Sequence, residues 1–523
     1  MISGAKGMGN DRFSKIITAS VNGLDTELVT VETDLTSGLP AFNLVGLPGS
    51  AVKESKERVR AAIANSGYEF PLRRITVNLS PADTRKEGSH FDLPIAVGIL
   101  AGAVKGHISL PEAGRSAFFG ELSLDGALSK ASFAVAMALG LQENGVTHIF
   151  LPAENMQDVE ELPGLFFYPA FMLSEVINHL LGGDAIAPVR GGFRNKRPPS
   201  EAPGADDFFD VKGQESVKRA FMIAAAGAHD ICLVGPPGVG KSMLAKRMPG
   251  ILPPLTDEES REVTRIHSIA GEQSGTRGLM SERPFRAPHH SATYSAIIGG
   301  GFRPRPGELS LAHRGVLFLD ELPEFERRTL DMLRQPLEDR YIDLSRVGFK
   351  GRYLCDFLLV AAMNPCPCGY LGDPAHECRC TQTQIQRYLS KISGPLLDRI
   401  DIHIRMGSVD ESELGFDSGS RECLSTAQMR RVALAARERG QKRNPGRAPN
   451  ARLSTEGAGQ VCAMEKDAEK LLKQAYDHFS FSVRVRSKLI RIARTIADMA
   501  GEDMIRAEHI AEAIAYRAVG RTE

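Results

Sequence analysis

The stretch Ile231-Cys-Leu-Val-Gly-Pro-Pro-Gly-Val-Gly-Lys-Ser242 decides the fold of this chain. Its four apolar residues predict a short strand, and the eight that follow fit the pattern G-x-x-x-x-G-K-[ST] of a phosphate-binding loop. The glycines let successive backbone N–H groups point at one anion, and a helix predicted from about Ser242 to Arg247 adds the positive end of its dipole. An accidental glycine-rich turn is the alternative, but the flanking strand and helix favour a nucleotide site. The predicted phosphate loop comprises Gly235, Pro236, Pro237, Gly238, Val239, Gly240, Lys241 and Ser242.

The two polar residues that close this loop have distinct predicted roles. Lys241 would bridge the β- and γ-phosphates of a nucleotide, and the Ser242 hydroxyl would be a ligand of Mg²⁺. Downstream, the apolar run 316–319 ends in Asp320 and Glu321, where open α/β sheets place their ligands. Asp320 is predicted to hold Mg²⁺ through water, and Glu321 to polarise the attacking water. By itself that run indicates only a strand end, but together with the loop it predicts a nucleotide triphosphatase.

The composition is that of an ordinary globular protein. The 523 residues predict roughly two to four domains. The 64 basic residues balance the 64 acidic ones, so that net charge argues neither for nor against a polyanionic partner. No apolar run is long enough to span a membrane, and the first residues lack the apolar segment of a signal peptide. With eight cysteines in so long a chain, we expect a reduced, cytoplasmic location and no membrane partner.

Residues 13–181 are predicted to form an α/β domain. Alternating polar and apolar residues predict strands at 29–33 and 75–79, and between them a helix that Ser50 caps. Two further helices are predicted at 93–104 and 131–144. The most distinctive runs of this domain are Gly46-Leu-Pro, Lys53-Glu-Ser-Lys-Glu-Arg-Val-Arg, Ile75-Thr-Val-Asn-Leu-Ser-Pro-Ala-Asp, Lys86-Glu-Gly-Ser-His-Phe-Asp-Leu-Pro-Ile-Ala and Gly120-Glu-Leu-Ser-Leu-Asp-Gly126.

These runs resemble the N-terminal domain of the magnesium-chelatase-like AAA+ ATPases of the YifB/ComM family, a domain similar to the proteolytic domain of Lon. The resemblance continues over nearly the whole chain. It implies an α/β protein with a Lon-like domain at 13–181, a linker at 182–207, an AAA+ core at 208–405 and a helical lid at 406–523. The linker is also indicated by its content of glycine, proline, alanine and charge.

A Lon-like domain raises the possibility of peptide hydrolysis, which needs a serine nucleophile and a lysine base within hydrogen-bond reach. Ser89 lies in the run that resembles the Lon serine segment, but bulky His90 and Phe91 follow it. Lys130 lies close to the turn after Gly126, and the helix that follows has no lysine at the position of the Lon base. A scaffold or binding domain without catalysis is therefore favoured over a protease.

The AAA+ region contains two further features whose interpretation is open. The pair His289 and His290 suggests a metal site, but a His-His step turns its rings apart on a helix or strand, which favours a structural or substrate-contact role. Strands predicted at 342–347 and 353–360 would pair around 348–351, in a region that resembles the pore hairpin of AAA+ motors. Its exposed basic candidates are Arg346, Lys350 and Arg352, with a solvated hairpin tip as the alternative.

The end of the next apolar strand carries Asn364, which matches the sensor asparagine of the family, whose amide can hold the attacking water. Cys366, Cys368, Cys378 and Cys380 follow as two C-x-C pairs, a set that a tetrahedral Zn²⁺ site would use. The spacing is tighter than usual, His376 could replace one ligand, and reduced loop thiols are the alternative. The remaining cysteines are predicted to be buried: Cys232, Cys355, Cys423 and Cys462.

The run Leu-Leu-Asp-Arg399-Ile-Asp resembles the family segment whose arginine reaches the γ-phosphate of a neighbouring subunit. The alternative is an intrachain ion pair with Asp398 or Asp401. In the helical region, Arg484 matches the sensor arginine that acts on the nucleotide of its own chain, and Arg486 competes for that role. An arginine that acts on a neighbour implies a homo-oligomeric ring, and in this family a hexamer.

The resemblance implies ATP and Mg²⁺ as cofactors, and a helicase that migrates branched DNA during recombination and natural transformation. The rival functions are a chelatase-type motor that inserts metal through a partner protein and an ATP-dependent protease. The residues favour backbone contact with DNA, because 441–450 reads as a mobile basic loop with few aromatic residues for stacking. A merely solvated loop is the alternative. The basic residues in and around this loop are Arg430, Arg431, Arg437, Arg439, Lys442, Arg443, Arg447 and Arg452.

Overall fold

The computed structural model describes residues 12–103, 108–112, 114–192, 206–272, 278–301, 305–346, 349–407, 424–479 and 481–518. Within these ranges the side chains of 345, 346, 349, 350 and 518 are not described. The chain divides into two compact units, Met1–Lys196 with Ser260–Met280 and Arg197–Glu259 with Ser281–Glu523. The segment Ser260–Met280, which the sequence assigns to the AAA+ region, therefore belongs to the first unit.

The first unit is built on a mixed sheet with the strand order β10-β9-β8-β5-β1-β2-β4-β3. Strands β1, β2 and β4 pair antiparallel, and β8 pairs parallel with both β5 and β9. The edge strand β10 falls inside the predicted linker, so the sheet extends further along the chain than the sequence indicates. The strands of this unit are β1 Phe13–Asn22, β2 Asp25–Thr36, β3 Ala41–Val45, β4 Arg74–Ser80, β5 Ser116–Phe118, β6 Glu121–Leu122, β7 Leu128–Ser129, β8 His148–Pro152, β9 Phe166–Ala170 and β10 Val189–Arg190.

The helices of the first unit confirm the predicted pattern, with one error at a cap. Helix α1 begins at Ser50, but its N-cap is Gly49 and no side chain caps it, so the predicted role of Ser50 is wrong. The Ser50 backbone is already helical, so its side chain has no cap position to fill. The predicted helices at 93–104 and 131–144 are α2 and α3. The helices are α1 Ser50–Asn65, α2 Asp92–Ala103, α3 Ala134–Glu143, α4 Met156–Val159 and α5 Leu173–Leu180.

The second unit contains a parallel five-stranded sheet with the order β12-β15-β18-β11-β19. Strands β15 and β18 are buried along their whole length, as expected for a parallel sheet covered on both faces. Because β18 lies between β11 and β15, the carboxyl ends of these three strands meet at one edge. The strands are β11 Ile231–Val234, β12 Phe285–Arg286, β13 Gly299–Gly300, β14 Arg305–Pro306, β15 Val316–Leu319, β16 Tyr341–Arg346, β17 Phe349–Leu354, β18 Leu358–Met363 and β19 Ile402–Arg405.

The predicted hairpin exists, but the limits predicted for its second strand are wrong. Strand β17 pairs with β16 from Phe349 to Leu354, whereas Leu358 already belongs to β18 in the parallel sheet. Between them, the Cys355 N–H donates to the Arg340 carbonyl over 2.9 Å, and Asp356 accepts from Arg314 over 3.0 Å. The sequence pattern merged the end of β17 with β18 because 353–360 is mostly apolar and the break at 355–357 contains no glycine or proline.

The helices from residue 206 onward belong to the second unit, except Asp257–Ala270, most of which lies in the Ser260–Met280 segment of the first unit. Several helices of the second unit share an apolar core with the parallel sheet. One apolar cluster contains side chains of β11 together with residues of the C-terminal helices, such as Met429 and Leu489. Leu489, Ala493 and Ile496 form a buried face of the penultimate helix, and in the last helix Ala513 is buried whereas Ala511 is exposed. The helices are α6 Glu215–Gly227, α7 Lys241–Ile251, α8 Asp257–Ala270, α9 Tyr294–Ile298, α10 Glu308–Leu311, α11 Arg327–Met332, α12 Arg334–Asp339, α13 Gln382–Leu389, α14 Gly394–Leu397, α15 Thr426–Arg443, α16 Thr455–Val461, α17 Lys466–Phe479, α18 Val483–Ala500 and α19 Ala507–Ala518.

The predicted basic loop at 441–450 is wrong at its start, because α15 continues to Arg443. An ion pair of 2.6 Å between Arg443 Nη1 and Asp498 Oδ1 fixes the last turn of the helix. Beyond it, buried Asn444 donates to the Ala448 carbonyl over 2.8 Å, and buried Asn450 donates to Asp498 over 2.8 Å. These tertiary contacts stabilise a helical end and a tight turn that local composition does not favour.

None of the helices in the described part of the chain is both long and apolar enough to cross a membrane.

Candidate functional site

The phosphate loop follows β11 at the edge where the parallel strands end. The Gly235 N–H donates to the Met363 carbonyl at the end of β18 over 3.2 Å, which joins the start of the loop to the neighbouring strand. Gly238 and Gly240 have φ values of 82° and 89°, a region that glycine adopts without steric cost. Helix α7 starts at Lys241, so the predicted strand-loop-helix unit is confirmed.

Lys241 connects this loop to the predicted sensor. Its side chain is buried, and its ammonium donates to the carbonyls of Gly235 over 2.6 Å and Pro236 over 2.8 Å. A third hydrogen bond of 3.0 Å reaches Oδ1 of Asn364. Burial lowers the pKa of Lys241, and the carboxylates of Asp320 and Glu321 oppose that shift. The loop lysine and the sensor asparagine, 123 residues apart, therefore meet at one point.

Two possible oxygen ligands for a metal ion lie in the same region of the site as Lys241. The Ser242 hydroxyl donates to Oδ2 of Asp320 over 2.7 Å, so the start of α7 and the end of β15 are in direct contact. Hydroxyl and carboxylate oxygens are hard ligands of the kind that Mg²⁺ takes together with phosphate oxygens and water. The donor set of Ser242 and Asp320 thus fits a magnesium ion.

Glu321 has a partner that the sequence did not predict. Its carboxylate lies 3.2 Å from Nδ1 of His290, and its backbone has a φ of 51°. The His289 and His290 rings lie 4.1 Å apart between centroids, so the prediction that they turn apart is wrong. The reason is local backbone, since these residues lie in neither a helix nor a strand. No sequence pattern links residue 290 to residue 321, and only the folded chain shows this contact.

Arg399 is held by its own chain through contacts that differ from the predicted alternative. Its guanidinium donates to the carbonyls of Arg334 over 3.1 Å and Pro395 over 2.9 Å, and it pairs with Glu338 over 2.9 Å. The two acids proposed as intrachain partners have other contacts. Asp401 accepts from Lys488 over 2.5 Å, and Asp398 lies 3.6 Å from Arg517.

Arg399 and Arg484 line one cavity of about 340 Å³. The described residues that line it include Arg340, Arg452 and Arg491, but neither Arg486 nor any residue of the phosphate loop. Helix α18 reaches this position because Lys488 donates to the Arg399 carbonyl over 2.5 Å. Arg484 therefore lines the same cavity as Arg399, and its action on the nucleotide of its own chain stays a prediction.

The four clustered cysteines come together as a possible metal centre. Their sulfur atoms all lie within 4.8 Å of one another, and Cys366 Sγ is 3.4 Å from Cys368 Sγ and 3.6 Å from Cys378 Sγ. A tetrahedron with Zn–S bonds of about 2.3 Å has edges of about 3.8 Å, so the four thiols fit zinc.

The remaining histidine and cysteines have other environments. His376 instead pairs with Asp373 over 2.9 Å and is not part of the sulfur cluster. The prediction of burial is confirmed for Cys232, Cys355 and Cys462, whereas Cys423 lies outside the described residues.

Most of the predicted basic surface is used inside the fold. Arg352 of the hairpin forms two hydrogen bonds with Asp343, and the side chains of Arg346 and Lys350 lie outside the described part. In and after α15, five arginines donate to backbone carbonyls or acidic groups: Arg430, Arg437, Arg439, Arg443 and Arg452. Three other basic side chains of this region are exposed: Arg431, Lys442 and Arg447.

The Lon-like residues do not assemble a Ser/Lys pair among the described side chains. Ser89 donates to the carboxylate of Glu121. Lys130 pairs with Asp158 over 3.0 Å, and buried Lys86 donates to the Thr84 carbonyl over 2.8 Å. The acceptor next to the serine is thus a carboxylate, which agrees with the non-catalytic interpretation of this domain.

A parallel sheet of this order, with a phosphate loop after one strand and paired acids after another, defines a P-loop nucleotide triphosphatase. Three family models match the chain. The model "Subunit ChlI of Mg-chelatase" matches residues 31–155, "Magnesium chelatase, subunit ChlI" matches residues 207–414, and "Magnesium chelatase, subunit ChlI C-terminal" matches residues 424–517.

Individual relatives extend this similarity over the full length. YifB of Salmonella typhimurium is 42% identical over 509 residues, which cover 96% of this chain and 97% of that protein. Competence protein ComM of Haemophilus influenzae is 40% identical over 500 residues, 95% of this chain and 96% of ComM. Lon protease 2 of Bacillus subtilis is 28% identical over 161 residues, or 28% of each chain.

The chain belongs to the YifB/ComM family of magnesium-chelatase-like AAA+ ATPases. The predicted fold class, with a Lon-like α/β domain, an AAA+ core and a helical C-terminal region, is confirmed.

The site geometry predicts separable effects on ATP binding and hydrolysis. Lys241→Ala should weaken ATP binding about 10- to 100-fold, because a charge-assisted contact with phosphate is lost. Glu321→Gln should bind ATP normally and lose at least about 100-fold in turnover, because the water loses its base. Equilibrium binding and steady-state hydrolysis measure the two effects.

Lys246→Ala is the matched control, because Lys246 is an exposed lysine on the same helix. It should change neither quantity. Wild-type turnover by Glu321→Gln would show that another residue polarises the water.

Proposed function

We propose that this chain is a ring-forming ATPase that couples ATP hydrolysis to the remodelling of branched DNA, by branch migration in recombination and natural transformation. The contact of Lys241 with Asn364 is the observation that carries the ATPase part, because it brings the phosphate-binding and sensing groups together. Similarity to a protein named as a competence protein supports the DNA part.

In this proposal each residue of the strand edge has one task. Ser242 and Asp320 hold Mg²⁺, which neutralises charge on the phosphate oxygens when bound. Lys241 binds the phosphates, Asn364 orients the attacking water and Glu321 accepts its proton. His290 orients the Glu321 carboxylate, since its Nδ1 lies 3.2 Å from a carboxylate oxygen.

The cavity of Arg399 and Arg484 supports assembly into a homo-oligomeric ring. Five arginines and Lys488 outnumber the four carboxylates that line it, and no residue of the phosphate loop is among its lining residues, so a phosphate from a neighbouring subunit is a suitable occupant. The Glu338 carboxylate pairs with Arg399, and a γ-phosphate, which carries more negative charge, can replace Glu338 as the partner of this guanidinium. We propose that Arg399 acts on the nucleotide of the neighbour, as a hexameric ring would allow.

Mixed rings test this arrangement. Arg399→Ala protein should bind ATP but lose about 10³-fold or more in hydrolysis. When it is mixed equally with Lys241→Ala subunits, about a quarter of the interfaces should combine an intact loop with an intact arginine, so that turnover returns.

A mixture of Lys241→Ala with Glu321→Gln serves as the control, because both defects lie on the same side of every interface. This mixture should stay inactive. If neither mixture hydrolyses ATP although mass measurements show that rings have formed, Arg399 does not act in the neighbouring site.

The DNA contact that the described residues offer is smaller than the sequence predicts. Lys442 and Arg447 line an open cavity of about 560 Å³ together with Gln441, Asn444, Gly446 and one acid, Glu438. Because Arg443 is paired with Asp498, it is a structural residue rather than a phosphate contact. Two cations without aromatic side chains among the lining residues suit the sugar-phosphate backbone and not the bases.

The salt dependence of DNA binding tests this surface. Replacing Lys442 and Arg447 with alanine should reduce the slope of log K against log salt by roughly 1.8 for duplex DNA, while basal ATPase activity is retained. The control removes Lys470 and Lys473, two exposed lysines of α17, and should leave the slope unchanged. An equal slope in both double variants would exclude this surface from the DNA path.

One observation favours a second candidate, a chelatase-type motor that acts on a partner protein. Five of the eight basic residues of the region 427–452 are used within the fold, which leaves little cationic surface for a polyanion. Absence of DNA binding by wild-type rings at low salt would favour this candidate.

We further propose that Cys366, Cys368, Cys378 and Cys380 bind a structural zinc ion. Protein prepared without chelator should carry about one zinc per chain, and Cys378→Ser should lose it, because a closed site uses all four thiolates. His376→Ala is the control and should retain zinc, since His376 pairs with Asp373. Metal analysis that finds no zinc in the wild-type protein would contradict the proposal.

A further inference from the structure

The cysteine cluster begins immediately beside the nucleotide site. Strand β18 ends at Met363, Asn364 follows, and buried Cys366 lies two residues further on. The Asn364 side chain accepts the hydrogen bond from Lys241 described above. Only Pro365 separates Cys366 from Asn364 along the chain, so we expect a displacement of Cys366 to move Asn364 as well.

The same loop also rests on the phosphate loop. A Cβ atom added to Gly369 would lie 2.7 Å from Cδ of Pro237, and the φ of Gly369 is 89°. The Gly369 N–H donates to the Cys366 carbonyl over 3.0 Å, so this turn is built directly on a cysteine of the cluster. Position 369 therefore has no room for a side chain against Pro237, and glycine is the residue that fits there.

The other end of the loop leads back to the sensor. Helix α13 begins at Gln382, just after Cys380, with Thr381 as its N-cap. Burial raises the pKa of Tyr388 on this helix to about 12, and a hydrogen bond to the Asn364 backbone opposes the shift. The cysteine cluster thus joins the end of β18 to the start of a helix that contacts the same asparagine.

The loop has no apolar core that could hold this shape. From 371 to 380 every residue is exposed or half-buried and few are apolar, so little hydrophobic free energy is available to order the segment. The thiols, with sulfur–sulfur distances of 3.4 and 3.6 Å, offer one another only weak hydrogen bonds and dispersion contacts. A bound metal supplies a stronger attraction, because metal binding contributes its free energy directly to the folding of such a segment.

We propose that zinc held by the four cysteines keeps Asn364 and Pro237 in their hydrolytic positions, so that metal occupancy controls ATP turnover. This inference depends on the proposed ATPase function. It assigns the cluster a positioning role in catalysis, in which no cysteine touches the nucleotide. Hydrolysis should depend on the metal more strongly than ATP binding does. Asn364, which is proposed to orient the attacking water, directly precedes the cysteine loop, whereas Lys241, which is proposed to bind the phosphates, lies outside it.

The first test removes zinc from the full-length protein with a zinc-selective chelator in excess Mg²⁺. Zinc content, ATP affinity and turnover are then measured on the same sample. Turnover should fall at least about tenfold and return with added Zn²⁺, whereas ATP affinity should change less than about threefold. Cys462→Ala, which removes a buried thiol outside the cluster, should behave as wild type in all three measurements.

A steric pair of variants tests the contact without changing a thiol. Gly369→Ala should retain zinc and lose at least about tenfold in turnover, because its Cβ displaces Pro237. Gly372→Ala is matched to it, since Gly372 has a φ of 75° on the same loop but its nearest neighbour to a new Cβ is Arg405 at 3.7 Å. It should retain both zinc and most of the turnover.

The outcomes separate this inference from the proposed function. Full turnover after zinc removal, or equal turnover of the two glycine variants, would overturn the inference and leave the ATPase function intact. Wild-type protein that carries zinc and binds ATP but has no turnover in any condition would overturn the ATPase function, and the inference with it.

Discussion

The hydrogen bond of 3.0 Å between Lys241 and Asn364 depends on a single property of the sheet, namely that β18 lies between β11 and β15. In a parallel sheet all strands end at the same edge, so neighbouring strands bring residues far apart in sequence into contact. The same order places Asp320 beside Ser242. A different neighbour for β11 would separate the phosphate-binding group from the sensor and the magnesium ligands.

The sequence predicts this centre well because its signals are local. The apolar strand before the loop, the glycine pattern and the acidic strand end are each complete within a few residues. What the sequence missed is tertiary. The contact of His290 with Glu321 and the pair of Arg399 with Glu338 join segments that no periodicity relates. The break between β17 and β18 was missed because 353–360 is mostly apolar and contains no glycine or proline.

Charge shows the same distinction between composition and structure. The basic residues around α15 read as a polyanion-binding loop, yet Arg437 is buried against the carbonyls of Ala225 and Ala226, and burial lowers its pKa to about 10. Arg443 and Arg452 likewise pair with acids of the same unit. Arginine with its five donors is suited to satisfying backbone and carboxylate oxygens inside a fold. Exposure, rather than number, therefore decides which cations are available to DNA.

The central claim is that a neighbouring subunit completes the nucleotide site. A structure of the Glu321→Gln protein assembled with ATP and Mg²⁺ measures this directly, because the bound nucleotide persists when hydrolysis is blocked. The account predicts that Arg399 leaves Glu338 and that its guanidinium lies within hydrogen-bond distance of the γ-phosphate held by the Lys241 loop of the adjacent subunit. Rings in which Arg399 stays on Glu338 of its own chain, with no arginine of the neighbour at the γ-phosphate, would contradict it.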